Sequence, residues 1–242
     1  MGTTFQPTNG NPTPDLHWYN DVSDVIKRML GWTGTNLLPI VDSLIIKKDQ
    51  SKGIKIDIDD PNFGWEDILG MVHTDLEAAS HRPAFNVYRA GIKAYQFTVD
   101  DRLYFDYHIP HNYAPNTDIF IHTHWSHNSN SVTSGNITWS YELTYAKAHN
   151  QAAFHTPITI SINIPASNIQ YQQILKDVQI SGTSNSSLLN TADLEPDGVI
   201  ICRTFLSNNT ISAATNPFMH YNDLHYQSTG IATKQRTPDF YT

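Results

Sequence analysis

The stretch that decides the fold reads Ile137-Thr138-Trp139-Ser140-Tyr141-Glu142-Leu143-Thr144-Tyr145. Large apolar side chains alternate with polar ones along it, which is the period of a β-strand that is buried on one face. Because successive side chains of a strand point to opposite faces, a slip of one residue would turn five large side chains toward water. The pattern therefore predicts a strand whose pairing is fixed by a hydrophobic core.

Short strand candidates continue from this stretch in both directions. They cover residues 44–47, 53–58, 85–87, 94–97, 103–108, 119–125, 137–146, 158–164, 169–180, 199–205 and 218–226. Turn-rich links join them without helical crossovers, so we expect an all-β chain that folds as a jelly-roll-like, two-sheet antiparallel sandwich. Residues 65–70 are an exception, because their pattern favours a helical turn or a short 3₁₀ segment.

The first 50 residues differ from the rest of the chain. Residues 1 to about 20 are polar and rich in Pro, Gly and Asn, with nothing to drive packing on their own. A short amphipathic helix is predicted next, and its apolar residues are Val22, Val25, Ile26, Met29 and Leu30. A helix of about two and a half turns is marginal alone in water, so we expect it to dock on its own domain or on another chain. We therefore divide the chain into an N-terminal arm, residues 1–50, and a β-sandwich domain, residues 51–242.

Composition argues against several classes of function. The net charge is −8 and the chain has only 15 Lys and Arg, whereas non-specific nucleic-acid binding needs clustered basic residues. No segment approaches the roughly 20 apolar residues of a membrane span, and the N-terminus lacks the basic and apolar regions of a signal peptide. We therefore expect a soluble protein that binds neither nucleic acid nor membrane. The single cysteine, Cys202, excludes an intrachain disulfide.

The sharpest local chemical feature is a group of histidines. His122 and His124 alternate in a predicted strand, so both imidazoles project from one face and can chelate one metal ion, with His108 or His111 as a third ligand. That arrangement is typical of a cupin-like site. The competing interpretation is structural, because imidazole also serves as a half-buried hydrogen-bonding group beside aromatic residues. Signatures of nucleotide-binding, serine-hydrolase and zinc-protease sites are missing from the sequence. We therefore expect a protein without enzymatic activity or a required cofactor, and a metal at His108, His122 and His124 as the alternative.

Several stretches, taken together, resemble one family of proteins. They are the succession from Gly53 to Gly70, the histidine motifs at 108–113 and 122–125, and the ending with Asp223-Leu224-His225-Tyr226-Gln227 and Pro238-Asp239-Phe240. The set is similar to virion proteins of tailed bacteriophages that are encoded among head and tail genes, and the likeness spans residue 53 to the C-terminus. The resemblance implies a structural virion component, either a capsid decoration (cement) protein or a tail or fibre protein, made in the host cytoplasm. It assigns no catalytic residue.

The resemblance and the arm together predict how the protein works. We expect the arm to anchor the chain to other virion proteins of the capsid or tail, and the chain to form a homotrimer. The first alternative is a receptor- or carbohydrate-binding module of the virion, in which exposed Trp and Tyr side chains stack on the sugar rings of a host-surface glycan. The second alternative is a cupin-like metal-binding enzyme that uses His108, His122 and His124.

Overall fold

The structure is a computed structural model, and it describes residues 43–49, 52–57, 63–73 and 79–241. The chain divides into two compact units, Met1–Asn62 and Phe63–Thr242. In the first unit, β1 (Ser43–Asp49) and β2 (Lys52–Asp57) form an antiparallel hairpin. The helix predicted from Val22, Val25, Ile26, Met29 and Leu30 lies outside the described residues, as does most of the proposed arm.

In the described residues of the second unit, the regular secondary structure is almost entirely β-strand. They are β3 (Gly64–Leu69), β4 (Met71–His73), β5 (Ala84–Arg89), β6 (Ile92–Gln96), β7 (Arg102–His108), β8 (Phe120–Ser126), β9 (Asn136–Ala146), β10 (Ile158–Pro165), β11 (Val178–Gln179), β12 (Val199–Asn209) and β13 (Phe218–Ser228). Short 3₁₀ turns occur at Ala79–His81, Thr191–Asp193 and Ser212–Ala214. Within the described part of the chain, no helix has the length and apolar character needed to cross a membrane.

The strands form two antiparallel sheets with the order of a jelly roll. One sheet runs β10-β9-β12-β7-β4 and the other runs β11-β8-β13-β6-β5, while β3 pairs with β13. From β6 to β13, the chain changes sheet at every connection except the β9–β10 hairpin. The first strand of this series, β6, also pairs with the last, β13. Together these features are the double Greek-key arrangement of a jelly roll. The predicted fold class is confirmed.

The core lies between the two sheets, and β9 supplies much of it. The alternating residues Ile137, Trp139, Tyr141, Leu143 and Tyr145 are all buried, which confirms the face predicted for this strand. Most other predicted strands are also present, because their core-facing residues repeat with the same period of two.

A buried polar network crosses this core. Asn222 Nδ2 donates to Thr123 Oγ1 at 2.7 Å, and that oxygen lies 3.0 Å from the Tyr141 hydroxyl on the opposite sheet. Tyr107, also on the opposite sheet, donates its hydroxyl to Asn222 Oδ1. Burial raises the pKa of both tyrosines, so they stay protonated and can donate. Each of these polar groups therefore has a partner inside the sandwich.

Two local predictions were wrong. Residues 65–69 lie in strand β3 instead of a helical turn, because their backbone pairs with β13, where Asp67 lies opposite His225. That pairing is far away in sequence and leaves no local pattern. The strand predicted at 169–180 is reduced to Val178–Gln179, since a turn interrupts it at Tyr171, whose φ is 63°.

Neighbouring isoleucines in β12 test the assigned faces. Ile200 is fully buried, whereas Ile201 is 38% exposed on the opposite face. We expect Ile200→Ala to lower the free energy of unfolding by about 2–5 kcal/mol, because it leaves a cavity in the core. Ile201→Ala should cost no more than about 1 kcal/mol. Urea unfolding of the two variants measures this difference, and equal losses would contradict the register of β12.

Candidate functional site

Functional side chains converge on the outer face of the sheet that contains β8 and β13. In this pair Asp223 lies directly opposite His122. Ile121 and Leu224, their neighbours in sequence, pack in the core between the sheets. Because side chains alternate along a strand, His122 and Asp223 must point away from the core. The site is therefore outside the sandwich, and not between its two sheets.

His122, His124 and Asp223 form a compact group, called here the outer-face cluster. The Nε2 atoms of the two imidazoles lie 2.9 Å apart. Asp223 Oδ1 lies 2.6 Å from His122 Nε2 and 3.6 Å from His124 Nε2. Two ring nitrogens and one carboxylate oxygen thus lie within 3.6 Å of one another and face a common centre.

The segment before β11 covers this cluster. Its backbone pairs with β8 at Ile174 and again at Val178, but residues 175–177 leave the ladder between those points. Asp177 Oδ1 comes within 2.8 Å of His122 Nδ1, and the side-chain amide of Gln173 contacts His124 Nδ1. His122 is consequently only 1% exposed and Asp223 only 2% exposed.

The pKa values of the two histidines are shifted in opposite directions, upward for His122 and downward for His124. Burial lowers the pKa of His122, but the close approach of Asp223 and the charges of Asp177 and Asp67 outweigh burial and raise the pKa overall. Burial also lowers the pKa of His124, and although Asp223 raises it, the positive charges of His122 and His225 help to keep it low. A proton added to the cluster therefore favours His122.

An open cleft borders the cluster and is called here the Trp65 cleft. It is lined by Trp65, Phe120, Asp177 and His225 and has a volume of about 420 Å³. The rings of Trp65 and Phe120 meet edge to face, with centroids 5.7 Å apart, and Trp65 is 55% exposed. His225 Nε2 lies 2.7 Å from Asp67 Oδ1 at the same place. The cleft therefore combines an aromatic surface with carboxylate and imidazole groups.

The structure brings two of the three histidines predicted as metal ligands together. His122 and His124 share the outer-face cluster, whereas His108 ends β7 in the other sheet and lies 3.3 Å from Asp197 Oδ1. His111 and His149 also contact Asp197, at 3.1 and 2.8 Å. His108 therefore belongs to a separate group, the Asp197 cluster, because β7 and β8 lie in different sheets.

Three members of the site were not predicted from the sequence. Asp223 and His225 lie two residues apart on β13, as His122 and His124 do on β8. This spacing was the signal in the sequence that could have identified Asp223 and His225. Asp177 lies in an irregular segment, where periodicity gives no information. The pairing of β8 with β13 joins residues about a hundred positions apart, which local patterns do not reveal.

No protein-family model matches the sequence, and no curated protein matches it. Among solved structures, the chain is similar to TmCBM61 in complex with β-1,4-galactotriose, at 10% identity and a TM-score of 0.25. That similarity covers 67% of this chain and 88% of the other.

The Asp197 cluster makes stability depend on pH. Burial raises the pKa of Asp197, but His149, His111 and His108 outweigh burial, so the pKa is lower than that of a free aspartate. Stabilisation by such a carboxylate is present above its unfolded-state pKa, about 3.9, and is lost as the pH falls through its folded-state pKa.

We expect Asp197→Asn to lower the free energy of unfolding by about 1 kcal/mol at pH 6, with a smaller loss at pH 3. Asp100→Asn is the matched control, because Asp100 also has a left-handed backbone, with φ of 72° against 63° for Asp197, but is exposed. Urea unfolding at both pH values measures the difference. A loss that does not depend on pH would contradict the electrostatic role.

Proposed function

We propose that this chain is a structural, non-enzymatic component of a tailed-bacteriophage virion. The observation that carries the proposal is the position of two stretches that resemble such proteins. Residues 122–125 and 223–227 are distant in sequence, yet they are neighbours in β8 and β13 and supply all three side chains of the outer-face cluster. The two stretches, which are separate in the sequence, therefore form one cluster of side chains in the fold.

The fold is compatible with this proposal but does not select it. Jelly rolls occur in viral capsid proteins, in lectins and in cupins, so the architecture alone leaves all three functions open. Function has to be argued from particular surfaces and sites. A cupin-like enzyme is the least supported of the three, because the histidines lie outside the sandwich and His108 is in another cluster.

Exposed apolar side chains support an assembled protein. Phe85 and Val87 on β5 and Ile92 on β6 are each more than half exposed. β5 is also the edge strand of its sheet, so its outer backbone groups have no neighbouring strand in the described chain. Large apolar residues at a sheet edge are typical of surfaces that another chain covers. Under this proposal the partners are other virion proteins and further copies of the chain in a homotrimer.

Removing the arm tests the virion proposal. We expect a chain that lacks residues 1–40 to fold, because its sandwich core is complete without them, but to be missing from purified particles. Circular dichroism checks folding, and quantitative mass spectrometry of particles measures incorporation against the full-length chain. Absence of the full-length chain from particles would overturn the virion role, and normal incorporation of the shortened chain would overturn the anchoring role of the arm.

The Trp65 cleft favours a second function, the binding of a neutral saccharide. The exposed indole of Trp65 offers a flat apolar surface for a sugar ring, and the carboxylates of Asp67 and Asp177 can accept hydrogen bonds from hydroxyl groups. The same carboxylates would repel an acidic sugar. A virion protein with this site would contact a glycan on the host surface.

We expect Trp65→Ala to weaken saccharide binding about tenfold or more, because loss of one stacked aromatic ring costs roughly 1.4 kcal/mol. Trp65→Phe should restore part of the affinity. Phe154→Ala is the control, since Phe154 is 49% exposed but does not line the cleft. A glycan array identifies the ligand and calorimetry compares the variants. Equal affinity of Trp65→Ala and the unaltered chain would contradict the assignment, as would the absence of any neutral glycan among the hits.

A further inference from the structure

The atoms of the outer-face cluster are arranged as the ligands of one small cation. A tetrahedral ion with bonds of about 2.1 Å holds its ligand atoms about 3.4 Å apart. The three separations among His122 Nε2, His124 Nε2 and Asp223 Oδ1 are 2.6, 2.9 and 3.6 Å, so sub-ångström shifts would admit the ion. We propose that His122, His124 and Asp223 bind one divalent transition-metal ion, with Zn²⁺ as the expected occupant.

Unsatisfied polar atoms in the cluster provide a second, independent argument. Asp223 Oδ1 is buried and makes no hydrogen bond of good geometry, although His122 Nε2 is only 2.6 Å away. His122 Nδ1 also makes no hydrogen bond of good geometry, because Asp177 Oδ1 lies within 2.8 Å of it but off the direction of an N–H. A buried carboxylate without a partner is costly. A cation at the meeting point of the three ligands would remove that cost.

The groups around the ligands are also those expected of a metal site. An imidazole that binds a metal through Nε2 usually donates its Nδ1–H to a carboxylate or an amide oxygen, which fixes the ring. Asp177 is placed at Nδ1 of His122 and Gln173 at Nδ1 of His124. With the amide of Gln173 oriented so that its oxygen faces the ring, His124 has this supporting partner. For His122, a rotation of the ring would bring its Nδ1–H onto Asp177 Oδ1, which is already 2.8 Å away.

The chemistry of the ligands selects the class of ion. Ca²⁺ and Mg²⁺ prefer sites made only of oxygen atoms, whereas imidazole nitrogens suit Zn²⁺ and other first-row transition metals. Two histidines and one carboxylate leave at least one position open for water or for an exogenous ligand. The burial of all three side chains shields the ion from bulk solvent.

A competing set of ligands shares His122. His122, Asp177 and His225 also have ligand atoms close enough for one ion. That set is less enclosed, since the Asp177 side chain is 45% exposed. In it His225 would bind through Nδ1, which lies 3.5 Å from Asp177 Oδ1, while its Nε2 stays with Asp67. The fully buried set is therefore the better site, and substitution of His124 and His225 separates the two.

The test uses the full chain, stripped with a chelator and titrated with Zn²⁺. We expect calorimetry and elemental analysis to give one ion per chain, and thermal unfolding to shift upward with added Zn²⁺. His124→Gln and Asp223→Asn should each weaken binding at least a hundredfold. Asp177→Asn should weaken it about tenfold to a hundredfold, because it removes a supporting group and not a ligand. His225→Gln and His108→Gln are the controls that should bind as the unaltered chain does.

Each outcome decides the proposal. Failure of the unaltered chain to bind Zn²⁺, Co²⁺, Ni²⁺, Mn²⁺ or Fe²⁺ at one per chain would overturn it, and so would unchanged binding by both His124→Gln and Asp223→Asn. Loss of binding in His225→Gln with retention in His124→Gln would instead identify the competing set. Urea unfolding of the metal-free variants distinguishes loss of a ligand from loss of the fold. His124→Gln carries the test if Asp223→Asn lowers stability, since that change leaves the buried His122 imidazole without its carboxylate partner. None of these measurements depends on virion incorporation or on glycan binding.

Discussion

The pairing of β8 with β13 is the constraint on which the rest of the structure depends. These two strands are neighbours inside one sheet, and most of their side chains are buried on both faces. On the inner face Thr123 and Asn222 join the polar network of the core, and on the outer face His122 and Asp223 meet. One register sets both faces, because a shift by one residue would exchange them. The fold and the candidate site are therefore specified by the same contact.

Buried polar groups on the inner and outer faces of the β8–β13 pair differ in how completely they are hydrogen-bonded. The inner network is satisfied, since each hydroxyl and amide has a partner on the opposite sheet or the neighbouring strand. The outer-face cluster leaves Asp223 Oδ1 and His122 Nδ1 without hydrogen bonds of good geometry. Clusters of buried ionisable groups with shifted pKa values are more frequent at functional sites than elsewhere. Under the proposal, a bound cation would supply the missing partner of Asp223 Oδ1 and would tie β8 to β13 beside the Trp65 cleft.

Sequence patterns predicted the fold better than the site, and the reason is physical. Strand β9 was identified because its buried face repeats every second residue, and the same rule put His122 and His124 on one face. β3 was missed because its six residues form a strand through pairing with β13 and are mostly exposed. His108 was grouped with His122 because the two are close in sequence, but a jelly roll sends consecutive strands to opposite sheets. Asp223 and Asp177 reach the cluster through tertiary contacts, which no local pattern records.

A cation at the outer-face cluster is the central claim, because it would satisfy the buried Asp223 carboxylate and would join side chains of β8 and β13. The most direct measurement is an anomalous difference map from crystals grown with Zn²⁺, recorded on both sides of the zinc absorption edge. The account predicts one strong peak about 2.1 Å from His122 Nε2, His124 Nε2 and Asp223 Oδ1. A map without a peak there, or with its peak between Asp177 and His225, would contradict it.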